Sequence, residues 1–138
     1  MQQNTNVGPS DRALNYLFIG ELILTAMVFF LIFSFNWEDR FFGMKLDGTI
    51  AGMFLFLKGI VAVLLLCIIL IHPHKIRLAA ILATLYYSYL FIDSSVTTQT
   101  ATGEWYLFAF PFVLLILVPA LLLVPRNRNS EGGGAGAE

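Results

Sequence analysis

Residues 48–71, GTIAGMFLFLKGIVAVLLLCIILI, decide the fold of this chain. A helix of about 20 apolar residues is long enough to cross the hydrocarbon core of a bilayer. The single ionised side chain of the stretch is Lys58, about 15 Å along the helix at a rise of about 1.5 Å per residue. We therefore predict a transmembrane helix over 48–71 that carries one charge near its middle.

The composition of the whole chain agrees with a membrane protein. The sequence is 58% hydrophobic and 12% charged, whereas soluble domains average about 25% charged residues. The formal net charge of −1 offers no basic surface to nucleic acid, so we predict no nucleic-acid partner. The single cysteine, Cys67, excludes a disulfide within the chain.

Three further apolar segments predict an all-α fold, a four-helix transmembrane bundle with short loops. We place the four spans at 12–35, 48–71, 76–95 and 104–124, within one membrane domain covering 12–125. A polar segment, 1–11, precedes this domain, and a glycine-rich tail, 126–138, is flexible by composition. The polar residues 94–103 read as a loop before the fourth span.

The connection at 36–47 leaves two interpretations open. Trp37, Phe41 and Met44 are spaced i, i+4, i+7, which favours a short helix lying in the membrane interface. A plain aromatic-rich loop fits the same residues.

The distribution of basic residues predicts the orientation of the bundle. Cytoplasmic loops carry an excess of lysine and arginine. The side that holds both termini and the turn at 72–75 has five basic residues, and the other side has two. The five are Arg12, Lys75, Arg77, Arg126 and Arg128, and the two are Arg40 and Lys45. We therefore expect cytoplasmic termini, a bacterial inner (plasma) membrane location, and an outer aromatic belt of Trp37, Trp105 and Tyr106.

Two charges inside the predicted spans are candidates for function. Each charge in a membrane helix costs about 2.5–3.5 kcal/mol on insertion scales, and such residues often mark ion or ligand sites. Glu21 on span one and Lys58 on span two lean in opposite directions along the membrane normal, so a direct pair needs a tilt or a water. The structural alternative is that Glu21 reaches the interface and Lys58 finds hydroxyls or carbonyls.

Span three offers Lys58 a set of polar partners. Tyr86, Tyr89 and Asp93 fall at i, i+3, i+7 on one helix face. We predict a polar pocket that is open to the outside, with Asp93 at its mouth. The competing interpretation is that these tyrosines are interfacial belt residues.

Two smaller patterns complete the set of candidates. Gly48, Gly52 and Gly59 place small residues on one face of span two, for helix packing within the chain or for a dimer interface. His72 and His74 have no nearby cysteine or carboxylate, so we predict no metal site and no cofactor.

No catalytic motif stands out in this sequence, so we predict no catalytic residue. Besides the lipid bilayer, the expected partners are other membrane subunits or further copies of the chain. Our first hypothesis is a non-catalytic accessory or assembly subunit of a larger membrane complex. The alternative is a small transporter or ligand-binding membrane protein that uses Glu21, Lys58, Tyr86 and Asp93. A weaker alternative is a membrane enzyme acting on a lipid or quinone.

Overall fold

The computed structural model describes residues 9–35, 39–46, 48–102 and 106–124. Within these residues the fold is helical, which confirms the all-α class. The helices, in chain order, are α1 (Pro9–Ser34), α2 (Gly48–Ile71), α3 (Ile76–Thr102) and α4 (Tyr106–Leu123). A small hairpin of β1 (Asp39–Phe41) and β2 (Met44–Leu46) lies between α1 and α2, and a 3-10 turn, Pro73–Lys75, joins α2 to α3.

Three of these helices are long and apolar enough to cross a membrane. They are α1 from Arg12 onwards, α2, and α3 together with the preceding turn as far as Gln99. The apolar part of α4, Phe110–Leu123, is shorter. By length and composition, these helices support a membrane protein, and the fourth span stays a prediction. The cytoplasmic side of the termini also stays a prediction, as does the aromatic belt of Trp37, Trp105 and Tyr106. Trp37, Trp105 and the tail lie outside the described residues.

Helix α3 is longer than the sequence pattern predicts. The expected loop at 94–103 is helical as far as Thr102. Ser95 and Thr98 donate hydrogen bonds of 2.6 and 2.7 Å to the backbone carbonyl oxygens four residues earlier. These hydroxyls find their hydrogen-bond acceptors within the same helix. The segment 94–102 therefore continues as helix, although its polar composition favours a loop.

The connection between α1 and α2 forms a hairpin in its described part, so neither the interfacial helix nor the plain loop left open by the sequence describes it there. Strand β1 pairs antiparallel with β2, with Arg40 opposite Lys45. The two residues of the turn, Phe42 and Gly43, have positive φ angles of 47° and 81°. Positive φ at both central residues is the requirement of a type I′ hairpin turn.

The helices form a closed ring of neighbours around a shared core. α1 packs mainly on α2 and α3 mainly on α4, while smaller contacts join α1 to α4 and α2 to α3. All four helices contribute buried apolar side chains, including Phe18, Leu22, Leu65, Ala79, Ala83 and Val118. Many large apolar side chains face outwards instead, as expected for helices surrounded by lipid tails.

Two of the three glycines of α2 pack against α1. A Cβ atom at Gly59 would lie 3.0 Å from the ring of Phe30, and one at Gly52 would lie 3.4 Å from the ring of Phe33. Gly48 does not share this packing role, since nothing lies within 4 Å of its Cβ position. It begins α2 with a positive φ of 51°, a backbone conformation that side chains disfavour.

Candidate functional site

The centre of the candidate site is an ion pair between α2 and α3. The ammonium Nζ of Lys58 lies 3.1 Å from Oδ2 of Asp93, and the two side chains are only 8% and 6% exposed. An unpaired charge in such surroundings costs several kcal/mol of desolvation. The pairing brings together two of the residues that the sequence nominated, and their role in binding a ligand stays a prediction.

The two charges meet because they lie at the same depth. Lys58 is about 15 Å from the first residue of α2, and Asp93 is about 14 Å from the last residue of α3, at about 1.5 Å per residue. The predicted position of Asp93 at the mouth of a pocket is wrong, because α3 continues well beyond it. Asp93 is buried instead, with 4% of its surface exposed.

The hairpin turn covers the ion pair. The backbone amide of Phe42 donates a 2.7 Å hydrogen bond to Oδ1 of Asp93. The next amide, that of Gly43, donates to Oγ1 of Thr97 at 3.2 Å. Each carboxylate oxygen of Asp93 therefore accepts a different donor, an amide on one and an ammonium on the other. The hairpin therefore lies against Asp93, and a polar pocket that opens to the outside stays a prediction.

The predicted tyrosines take separate roles around Lys58. The hydroxyl of Tyr86 donates a 2.8 Å hydrogen bond to the backbone carbonyl oxygen of Lys58, so it holds the helix rather than the ammonium. Tyr89 faces the hairpin, where its ring centroid is 6.1 Å from that of Phe42. The ring of Phe29 lies 5.9 Å from the Lys58 ammonium, within the range of a cation–π contact.

Glu21 is not part of this ion pair. Its carboxylate oxygen Oε2 is buried and has no hydrogen-bond partner among the described residues. One turn further along α1, Thr25 Oγ1 shares a 3.1 Å hydrogen bond with the hydroxyl of Tyr87. Both Thr25 and Tyr87 are buried, so a second polar cluster joins α1 to α3.

A cavity of about 180 Å³ lies beside the ion pair. Besides Lys58 and Asp93, three polar and three apolar residues line it: Arg40, Ser94 and Thr97, and Phe29, Leu90 and Phe112. Arg40 and Thr97 also make further interactions. The cavity gives the site room for a small molecule, and its lining offers charged, hydroxyl and apolar contacts.

Sequence reasoning missed the contribution of the hairpin and of Thr97. Gly43 between two short runs is a hairpin signal that would have directed attention to Arg40 and Phe42. Thr97 follows Asp93 by one helical turn, so extending α3 would have placed both on one face.

The remaining candidates lie away from the ion pair. His72 and His74 are exposed beside the turn, with their ring centroids 5.6 Å apart. Among the described residues no group of three histidine, cysteine or acidic side chains is arranged to hold a metal ion. Cys67 is exposed on α2.

The chain matches no protein-family model, no curated protein and no solved structure. Function is therefore inferred from the geometry of the site.

Proposed function

We propose that this chain is a small multi-pass membrane protein that binds a small polar or charged solute at the Lys58–Asp93 site, as a carrier or binding protein. The observation that carries the proposal is a buried ion pair with an adjoining cavity of about 180 Å³. Ionisable residues inside membrane helices commonly mark substrate or ion pathways. A pair with only a structural role requires no cavity beside it.

The test measures ligand binding by the purified full-length protein in mild detergent. Its thermal unfolding midpoint is followed in a panel of small anions, cations and neutral solutes. A ligand at 100 times its Kd stabilises the folded state by about 2.7 kcal/mol. We expect at least one solute to raise the midpoint of the wild type and of Lys75→Met, an exposed control, while Lys58→Met loses the response.

Milder variants protect this test against a folding defect in Lys58→Met. Ser94→Ala and Thr97→Val remove cavity hydroxyls without removing either charge, and we expect them to weaken binding of the same solute. Either of two results would refute the proposal: a panel in which no solute stabilises the wild type, or equal stabilisation of the wild type and all site variants.

A second candidate function is that of an accessory or assembly subunit, bound to other membrane subunits or to further copies of this chain. The observation that favours it is an exposed groove of about 500 Å³ near the hairpin end of the molecule, lined by Phe33, Gly48, Thr49, Gly52, Met53 and Phe56. Small residues allow another membrane helix to approach closely. This candidate predicts co-purification with other proteins, or a homo-oligomer, in mild detergent. A small monodisperse monomer would contradict it.

We further propose four spans, on the basis of the four apolar segments, and cytoplasmic termini in a bacterial inner membrane, on the basis of the basic residues. Single cysteines at Lys45 in the hairpin and Lys75 in the turn, in a Cys67→Ser background, test this topology. An impermeant maleimide should label the hairpin position in intact cells and the turn position only after permeabilisation. The reverse labelling would overturn the orientation, and labelling of both positions in intact cells would overturn the span assignment. The membrane-enzyme alternative has no supporting observation among the described residues.

A further inference from the structure

We propose that the turn between α2 and α3 binds the phosphate of an anionic phospholipid headgroup, such as that of phosphatidylglycerol. The turn, Pro73–Lys75, lies at the opposite end of α2 from the hairpin. Lys58 is about 20 Å from this end of α2, at about 1.5 Å per residue. This surface is therefore separate from the Lys58–Asp93 site, and its role depends only on α2 and α3 crossing a membrane.

The turn carries a cluster of donors for phosphate oxygens. Four exposed side chains lie within six consecutive residues: His72, His74, Lys75 and Arg77. The segment 48–92 contains no aspartate or glutamate, and none of the four side chains forms an ion pair with a described residue. Lysine binds phosphate as a point charge and arginine binds it through paired hydrogen bonds, while a neutral imidazole donates one hydrogen bond. The turn thus presents two positive charges and two further donors.

The backbone holds this turn, which leaves its side chains available to a ligand. The amide of His72 donates a 2.9 Å hydrogen bond to the carbonyl oxygen of Ile68, and the amide of Lys75 donates one of 2.8 Å to that of His72. The side chain of His72 makes no capping hydrogen bond. Its ring lies beside that of His74, with the centroids 5.6 Å apart. We therefore expect the turn to stay folded when its polar side chains are replaced.

The position of the turn favours a phospholipid over a free phosphate ion. Helix α2 has 24 residues and is about 36 Å long, whereas the hydrocarbon core of a bilayer is about 30 Å thick. Its end therefore reaches the level of the headgroups. Leu70 and Ile71, directly before the turn, are 64% and 70% exposed, and Leu78 after it is also exposed. A phospholipid uses both surfaces, since its phosphate meets the basic side chains while its acyl chains cover the apolar ones.

The experiment is native mass spectrometry of the purified full-length protein, released from mild detergent that contains equal amounts of phosphatidylglycerol and phosphatidylcholine with identical acyl chains. It measures the ratio of the two lipids in the complex that retains one lipid. We expect an excess of phosphatidylglycerol for the wild type and for Lys45→Met, which removes an exposed lysine near the other end of α2. Lys75→Met and Arg77→Gln should each lower the ratio by about fivefold, the contribution of one basic residue near an anionic membrane surface.

The double variant Lys75→Met/Arg77→Gln should bind the two lipids about equally, and its thermal unfolding midpoint in detergent alone checks that it is folded. Equal binding of both lipids by the wild type would overturn the proposal. An undiminished excess of phosphatidylglycerol in both single variants would also overturn it. If sodium phosphate at millimolar concentration removes the excess from the wild type, the turn binds free phosphate and the phospholipid assignment is wrong. None of these outcomes bears on solute binding at Lys58 and Asp93.

Discussion

The buried ion pair makes the sharpest prediction about stability. Removing one partner of such a pair leaves the other charge buried without its counter-charge, at a cost of about 3–5 kcal/mol. Lys58→Met and Asp93→Asn should each destabilise the protein by this amount, and the asparagine keeps an acceptor for the Phe42 amide. In the double variant neither charge remains. We expect it to lose no more than either single variant, which implies a coupling energy of about 3 kcal/mol or more.

The measurement is unfolding in sodium dodecyl sulfate, followed by helical circular dichroism, for the wild type, both single variants and the double variant. Lys75→Met removes a lysine from an exposed position and should change the free energy of unfolding by less than about 0.5 kcal/mol. Interhelical hydrogen bonds in membrane proteins average about 0.6 kcal/mol by the same kind of cycle. A coupling energy this small between Lys58 and Asp93 would refute a desolvated ion pair.

Three further predictions concern the packing of α1. Gly59→Ala should lower the free energy of unfolding in detergent by about 1–3 kcal/mol, because the new methyl group would lie 3.0 Å from the Phe30 ring. Adding Phe30→Leu should restore part of this loss. Gly20→Ala, where nothing lies within 4 Å, should leave the free energy of unfolding unchanged or raise it by up to about 1 kcal/mol; a clear loss would contradict the placement of that helix face. Thr25→Val should cost about 1–3 kcal/mol, since it leaves the buried Tyr87 hydroxyl without its partner, and adding Tyr87→Phe should recover much of that loss if the hydrogen bond is formed.

Sequence periodicity predicted the parts of the fold that hydrophobic patterning controls. The run at 48–71 forms α2 with the same bounds, because its flanks change abruptly from apolar to polar or turn-forming residues. The spacing of Tyr86, Tyr89 and Asp93, together with the need of Lys58 for a partner, predicted that these residues share one region. A buried charge needs an opposite charge or hydrogen-bonding groups beside it, and few side chains can supply them.

The contact of the hairpin with Asp93 could not be predicted in the same way. The hairpin binds Asp93 through a backbone amide, a group that every residue except proline carries, so no side-chain pattern identifies it. The extension of α3 depends on hydroxyls that bond to their own helix, and serine and threonine favour loops equally well. The burial of Asp93 depends on both features.

The separation of Lys58 from Asp93 along the chain has a consequence for biosynthesis. The two residues are 35 positions apart, and a ribosome adds about 5–20 residues per second. Lys58 is therefore made about 2–7 seconds before its partner. During that interval α2 carries an uncompensated lysine, at a cost of about 2.5–3.5 kcal/mol for entering the bilayer. The mean hydropathy of α2 is 3.0, the highest of the three long helices, so its apolar residues offset this cost. We therefore expect α2 to insert first and the ion pair to form when α3 arrives.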